Sequence, residues 1–208
     1  MRNAGLRMSV VVDWDATCTV ADTLELVLLE FGDREVFRRC EEALVRGEIS
    51  YRELMETEMG TIREPVANVA AWLVEHVELR PGFHELLERH RPLVLSSGFE
   101  ELINAVIARE GVEVEVAANS LEPSPGGWRI RWRDDAQCTE CGDSCKRGSL
   151  PADGGVLVYI GDGYSDRCAA LAADRVFARD GLAAYLDSRR AEYEQFDDLR
   201  DVVTALGR

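Results

Sequence analysis

Two aspartates stand one residue apart directly after an apolar run, in Val10-Val11-Val12-Asp13-Trp14-Asp15-Ala16-Thr17. Like charges held this close repel, and taking them out of water is costly. Such a pair is kept where a cation binds, where a carboxylate reacts, or both. A second acidic pair, Asp162 and Asp166, follows the apolar run Val156–Ile160. A third apolar run, Leu93–Leu95, ends on Ser96-Ser97-Gly98. These residue types suit hydrolysis of a phosphate ester. One carboxylate attacks phosphorus as a covalent nucleophile. The other protonates the leaving oxygen and later takes a proton from water. A Mg²⁺ ion held by Asp13, Asp15, Asp162 and Asp166 would offset the repulsion between carboxylate and phosphate. Ser96 and the backbone N–H groups of Ser97 and Gly98 can hold the phosphoryl oxygens. Lys146 would add a point positive charge for phosphate and nucleophile.

The surrounding pattern says how such residues could meet. Ser9–Val12 reads as a short strand buried on both faces. The stretch 92–99 reads as a second strand, 112–118 as a third, 156–160 as a fourth and 175–178 as a fifth. Tryptophans and arginines alternate over 128–133 after a Ser-Pro-Gly-Gly turn, which predicts a hairpin strand. Trp128, Ile130 and Trp132 would share its packed face, with Arg129, Arg131 and Arg133 on a solvated edge. Helical spacing dominates 21–79, where Leu24, Leu28 and Phe31 share one face and Leu54, Met55 and Met59 another. Gly111 ends a helix over 100–110. Strands alternating with helices predict an α/β fold with a parallel sheet and right-handed crossovers. In such sheets ligands bind beyond the carboxyl ends of the strands, where all the candidate acids fall. The block 21–79 is too long for a crossover and reads as an inserted helical cap. The core domain is then 1–20 and 80–208.

Bulk properties narrow the partners. A chain of 208 residues with 46% hydrophobic and 30% charged residues can build one substantial core plus a small module. A formal charge of −15 excludes the basic footprint of a nucleic-acid binder, but not a small anionic substrate. Met1–Arg7 is followed by too short an apolar run for a secretion leader, and no apolar run approaches the roughly 20 residues of a membrane span. The expected setting is the cytoplasm, with a small phosphorylated metabolite as partner and no nucleic acid or membrane. The oligomeric state is not written in the sequence.

Asp13-Trp14-Asp15-Ala16-Thr17, Leu95-Ser96-Ser97-Gly98-Phe99, Lys146 and Gly161-Asp162-Gly163-Tyr164-Ser165-Asp166 resemble, in order, the four motifs of haloacid dehalogenase (HAD) superfamily phosphatases. The resemblance spans nearly the whole chain. It implies a HAD-type, Rossmann-like core with a small cap after the first strand. It also implies Asp13 as nucleophile, Asp15 as general acid/base, Ser96 as the phosphate-binding serine and Lys146 as the third-motif lysine. Asp162 and Asp166 would hold Mg²⁺ together with Asp13 and the Asp15 carbonyl. Within the superfamily, the chain is similar to the phosphoserine phosphatase branch. Its cysteine-bearing loop is more like the MtnX-type enzymes of methionine salvage, which act on 2-hydroxy-3-keto-5-methylthiopentenyl 1-phosphate. Ala16 departs from the commoner glycine. Rival readings are a phosphoserine phosphatase, a phosphotransferase, and a metal- or phosphometabolite-binding protein without turnover.

Some residues stay open between roles. Asp22 can contact the substrate or cap the first helix of the insert. Asn119 is a further candidate for substrate contact. Cys138, Cys141 and Cys145 follow a C-x₂-C-x₃-C spacing. That fits a Zn²⁺ site with its fourth ligand elsewhere, a disulfide, or free thiols.

Overall fold

The computed structural model describes residues 7–122, 124–134, 136–152 and 154–207. The reading of the N-terminus as lacking a leader falls on residues 1–6 and so lies outside the described residues. Seven strands form one mixed sheet: β1 (Met8–Val12), β2 (Leu93–Phe99), β3 (Glu115–Glu122), β4 (Arg129–Arg131), β5 (Val156–Gly161), β6 (Arg175–Ala178) and β7 (Glu194–Gln195). Their order is β4-β3-β2-β1-β5-β6-β7. Every pairing is parallel except β3 with β4. That exception is the hairpin expected from the alternating tryptophans. The chain leaves β1 toward β2 on one side and returns to β5 on the other. A crevice therefore opens at the carboxyl end of β1, where the topology switches direction.

Strand β1 shows why its last three positions, Val10–Val12, are all apolar. Val10 and Val12 face one core together with Val94, Ile160 and Phe177. Val11 faces the other with Leu95, Tyr159 and Ala178. A strand covered on both faces has no solvent side for polar residues. Helices α5 (Phe83–His90), α6 (Glu100–Glu110) and α9 (Leu199–Leu206) supply the first cover. The second is supplied by α7 (Arg167–Ala170) and α8 (Asp180–Arg189). Sequence reading missed α8, whose start is weakened by Gly181, and the two-residue β7.

Between β1 and β2 run α1 (Thr23–Phe31), α2 (Arg34–Val45), α3 (Tyr51–Met59) and α4 (Val66–His76). Each of the first three has a polar cap. Asp22 accepts from Leu24 N and Glu25 N, Asp33 from Glu35 N and Val36 N, and Ser50 forms a capping box with Glu53. The chains entering and leaving this segment meet as a short antiparallel bridge, Thr19 against Leu79. Among the described residues no helix is long and apolar enough to cross a membrane.

Two expected elements shift. The third strand starts at Glu115, not at Val112. Gly111, at φ 65°, closes α6, and the next three residues serve as the connection, with Val112 and Val114 packed on the core. In the hairpin, Trp128 is buried: its backbone N–H donates to Ile62 O at 3.2 Å and its indole Nε1 to Glu64 O at 2.9 Å. Arg133 is not on a solvated edge. Its guanidinium reaches inward to Ser96 O at 2.8 Å and Ser149 Oγ at 2.8 Å, so it braces the second strand's turn from below.

Arg80 opens the second segment of the core domain and carries no local signal of a role. In the structure it is buried and its guanidinium donates to Ala16 O (2.6 Å), Thr17 O (2.9 Å), Thr19 O (3.1 Å), Val20 O (3.3 Å) and Asp197 O (3.3 Å). It thereby fixes the loop after β1, including Ala16, which sits at φ 53° where most side chains are strained. Arg80→Met should cost about 3 kcal/mol or more, because several buried carbonyls lose their donor. Arg80→Lys should recover only a minor part, since one ammonium cannot span this fan. Urea midpoints of the three proteins check this; equal midpoints would refute the bracing role.

Candidate active site

Backbone pairing sets the position of Asp13. Its N–H donates to Ile160 O at 2.9 Å, continuing the β1–β5 ladder one residue past the strand. The Asp13 side chain therefore emerges at the carboxyl edge, almost wholly buried. Lys146, fully buried in the single turn 146–149, donates its Nζ to Asp13 Oδ1 and, at 2.6 Å, to Asp166 Oδ1. Asp166 is held by three further donors: Tyr159 OH at 2.7 Å, and the N–H groups of Asp162 and Gly163 at 3.0 Å each. Gly161 makes this possible, because a Cβ there would lie 2.5 Å from Asp166 Oδ2.

Asp15 has a different surrounding. Its Oδ1 accepts from Thr23 N at 3.1 Å and from the Thr23 hydroxyl, and its Oδ2 accepts from Ser96 Oγ at 3.3 Å. Thr23 opens α1, so the inserted helices hold the second aspartate. Gly98 allows the approach: a Cβ there would lie 3.0 Å from Asp15 Oδ2.

Four carboxylates face one ammonium. Burial, then the charge of Asp166, pushes the Asp13 carboxyl well above the usual range, and Lys146 only partly offsets this. Burial also raises Asp15, the direction a group needs to carry a proton near neutral pH. Asp162 is pushed up to about 6 by burial and then by Asp166. Burial disfavours the Lys146 ammonium, but Asp13 and Asp166 outweigh it and hold its pKa above the ordinary lysine value.

The carboxylates of Asp13, Asp162 and Asp166 each bring an oxygen within 4.8 Å of the others. This hard oxygen set, only partly compensated by Lys146, suits a divalent cation such as Mg²⁺. The side chain of Asp15 is not in that group, so only its backbone carbonyl is left for such a role. Asp166 already accepts four hydrogen bonds, so its main work here is to hold Lys146 and the 162–163 turn. Thr17 orients Asp162 through a 2.8 Å hydrogen bond from its hydroxyl.

The serine turn also divides its labour. Ser97 faces the cavity. Ser96 is buried, and the Gly98 N–H expected on a phosphoryl oxygen instead donates to Ser96 Oγ at 2.8 Å. Asn119 is spent on the protein. Its amide donates to Ser97 O at 2.8 Å and accepts from Arg133 N at 3.0 Å, so it braces the turn and does not line the cavity.

A cavity of about 460 Å³ lies over Asp13, Asp15 and Asp162. Leu24, Leu28, Phe37, Leu44, Leu54 and Met55 form its apolar wall, and Asp22, Glu25, Glu41 and Glu58 its polar one. Among the described residues no lysine or arginine lines it. Asp22 both caps α1 and faces the cavity, so its two readings coexist. Burial and then Asp15 raise it to about 7. Glu58 is buried, its Oε1 has no hydrogen-bond partner, and burial with Glu41 raises it to about 8. Tyr164 of the fourth motif is exposed, lines the cavity and stacks on Tyr51 at 5.8 Å.

Sequence reading missed Thr23, Tyr159 and Arg133 as supports of the site. A tyrosine inside an otherwise aliphatic strand was the one local signal available.

Residues 10–171 match the family model described as haloacid dehalogenase-like hydrolase. The 2-hydroxy-3-keto-5-methylthiopentenyl-1-phosphate phosphatase of Exiguobacterium sibiricum is 25% identical, over 97% of each chain. The polyol phosphate phosphatase of Saccharomyces cerevisiae is 24% identical, over 95% of this chain and 91% of its own. A solved phosphoserine phosphatase with a phospho-aspartyl intermediate analogue superposes with a TM-score of 0.70 at 17% identity, covering 96% of this chain and 98% of its own. That last likeness speaks for the fold. With the motif residues gathered at one sheet edge and the match covering most of the sequence, the chain belongs to the haloacid dehalogenase-like hydrolase family, among its phosphatases.

Proposed function

We propose that the chain is a Mg²⁺-dependent phosphomonoesterase that works through an aspartyl-phosphate on a small metabolite whose far end carries no carboxylate. The observation that carries this is the cavity. Its floor presents Asp13 and Asp15, and its far wall is apolar and acidic without a cation. Phosphoserine would bring a carboxylate against Asp22, Glu41 and Glu58, and like charges brought together in a desolvated site are disfavoured. A thioether or hydrocarbon tail bearing hydroxyls suits the same surface: carbon and sulfur against the leucines, hydroxyls against the acids. The reading that fits best is the 2-hydroxy-3-keto-5-methylthiopentenyl 1-phosphate class named for the Exiguobacterium relative.

In the first step an Asp13 carboxylate oxygen bonds to phosphorus while the ester P–O bond breaks, and Asp15 gives its proton to the departing oxygen. In the second, Asp15 takes a proton from water as that water bonds to phosphorus. The acyl-phosphate bond breaks, phosphate leaves, and Asp13 is restored. Lys146 holds the nucleophile in line and meets the charge of the phosphoryl group. Asp13 and Asp162, with the Asp15 carbonyl, would hold the Mg²⁺, which neutralises phosphate charge when bound. The residues 21–79 would act as a cap whose α1 places Asp15 through Thr23.

The test is phosphate release, with Mg²⁺ and with EDTA, from phosphoserine, phosphocholine, a polyol phosphate and the methylthio-enediol phosphate made in situ. Metal-dependent release is expected, with kcat/KM on the methylthio substrate at least about tenfold above phosphoserine, the scale of one misplaced desolvated charge. Phosphoserine as the best substrate would reject the specificity reading. No release from any of the four by folded, metal-loaded protein would favour a binding protein.

A further inference from the structure

The cysteine loop and the fourth-motif helix meet at a point the phosphatase chemistry does not use. Cys138, Cys141 and Cys145 from the loop are joined by Cys168 from α7, and the four sulfurs lie within 4.8 Å of one another. Cys168 is the partner the loop spacing lacked; it sits two residues beyond Asp166, far along the chain.

We propose that these four cysteines bind one Zn²⁺ ion, which ties the loop carrying Lys146 to the helix following Asp166. The separations fit. Zn–S bonds of about 2.3 Å in a tetrahedron place sulfurs about 3.8 Å apart, and Cys138 Sγ lies 3.7 Å from Cys168 Sγ. A disulfide needs about 2.05 Å, and all four thiols are free.

The backbone is shaped around the sulfurs. Cys138 N donates to Asp143 O at 3.0 Å and Gly142 N to Cys138 O at 2.8 Å, closing a tight turn with Gly142 at φ 75°. In that turn the N–H groups of Glu140 and Cys141 point at the Cys138 sulfur, and Arg147 N–H points at Cys145. Such N–H donors orient thiolate ligands and disperse their charge. Four thiolates around Zn²⁺ leave two negative charges, and Arg147, Arg167 and Arg189 line the same cleft as Cys141, Cys145 and Cys168.

The position explains a need. Among the described residues, 132–155 contain one helical turn, 146–149, and otherwise no strand or helix. Loops of this length inside a compact domain need their own anchor. This one delivers the buried Lys146 to two carboxylates, and Cys145 is its immediate neighbour. A metal bonded to Cys145 and Cys168 would fix both arms of the Lys146–Asp166 pair.

The experiment measures metal content by plasma mass spectrometry on the full chain expressed with zinc in the medium, together with absorption of protein grown on cobalt. About one zinc per chain is expected, retained through an EDTA wash that strips Mg²⁺. The cobalt form should show strong thiolate-to-metal charge-transfer and tetrahedral d–d bands. Cys168→Ala should lose most of the zinc, while Cys40→Ala, buried in α2, keeps it. If Cys168→Ala does not fold, the wild-type zinc content and cobalt spectrum decide alone. Folded wild-type protein without zinc, with iron in its place, or with disulfides among these cysteines would overturn the proposal. None of these readouts depends on the substrate or on turnover.

Discussion

Asp13→Asn is expected to lower kcat by at least about 10⁴-fold on every phosphomonoester the protein turns over, the scale on which loss of a covalent nucleophile is felt. An amide oxygen cannot form the acyl-phosphate bond, so no substrate change rescues it. The fold should survive, because the variant removes a charge that burial and Asp166 already disfavour. A carboxyl whose folded pKa lies above its unfolded value, about 3.9, stabilises the fold below that value. It loses the contribution as pH rises through the folded value. At neutral pH and without metal, ionised Asp13 is therefore a burden, and Asp13→Asn should melt no lower than the parent. Adding Mg²⁺ should raise the melting temperature of the parent more than that of the variant. Single-turnover kinetics and calorimetry with and without Mg²⁺ check both halves. A variant that kept a tenth of the activity would remove Asp13 from the nucleophile role, and one that melted well below the parent would make it a structural residue.

Lys146→Met should damage both stability and turnover. Its ammonium is fully buried between Asp13 and Asp166. Removing one partner of a buried ionic cluster leaves the others uncompensated and costs about 3–5 kcal/mol. Methionine fills the space, so the loss reports charge and not a cavity. Turnover should fall about 10³-fold, since one preorganised positive group near the reacting phosphoryl is worth that much. The penalty should depend on pH, and the source of that dependence is specific. The pKa of Lys146 is raised in the fold, so its stabilisation is fully present below the unfolded lysine value, about 10.4. It begins to fade only above that value. Between pH 5 and 8 the lysine itself does not titrate. The carboxylates it leaves behind do, and without it their pKa values climb further. The variant should therefore lose more stability at pH 8 than at pH 5. Urea titrations at the two pH values measure this; an equal loss at both would mean that the lysine acts by packing alone.

The two variants also separate roles that proximity blurs. Asp13→Asn removes the proposed nucleophilic oxygen but leaves Lys146 paired with Asp166. Lys146→Met leaves that proposed nucleophile but releases it from its partner. If the zinc ion holds the Lys146 loop, its removal should resemble a mild form of the second variant and not of the first.

Much of the site was legible in the chain itself. Apolar runs that end abruptly on Asp13, Ser96 and Asp162 mark strands buried on both faces, and a parallel sheet forces such strand ends to one edge. That local signal carried the acids, the serine turn and the α/β class. One cap was legible for the same reason: Asp22 acts within one turn of its own helix, as Asp33 and Ser50 also prove to do. What the sequence could not assign were the residues whose meaning lies in a partner far along the chain. Asn119 looked like a ligand-binding amide, yet Ser97 O and Arg133 N satisfy it. Arg133 looked solvated until β4 folded back under the serine turn. Arg80 carries no local signal, although it gathers carbonyls from two distant loops. Asp166 looked like an ordinary metal acid, but Tyr159 and two backbone N–H groups bind it first. Cys168 lies far from the cysteine loop in sequence, and only the packing of α7 against that loop makes it the fourth of a set. Spacing encodes what a residue can do within its own turn or strand. Which of its hydrogen bonds and charges remain free for chemistry is decided only when distant segments arrive to use the others.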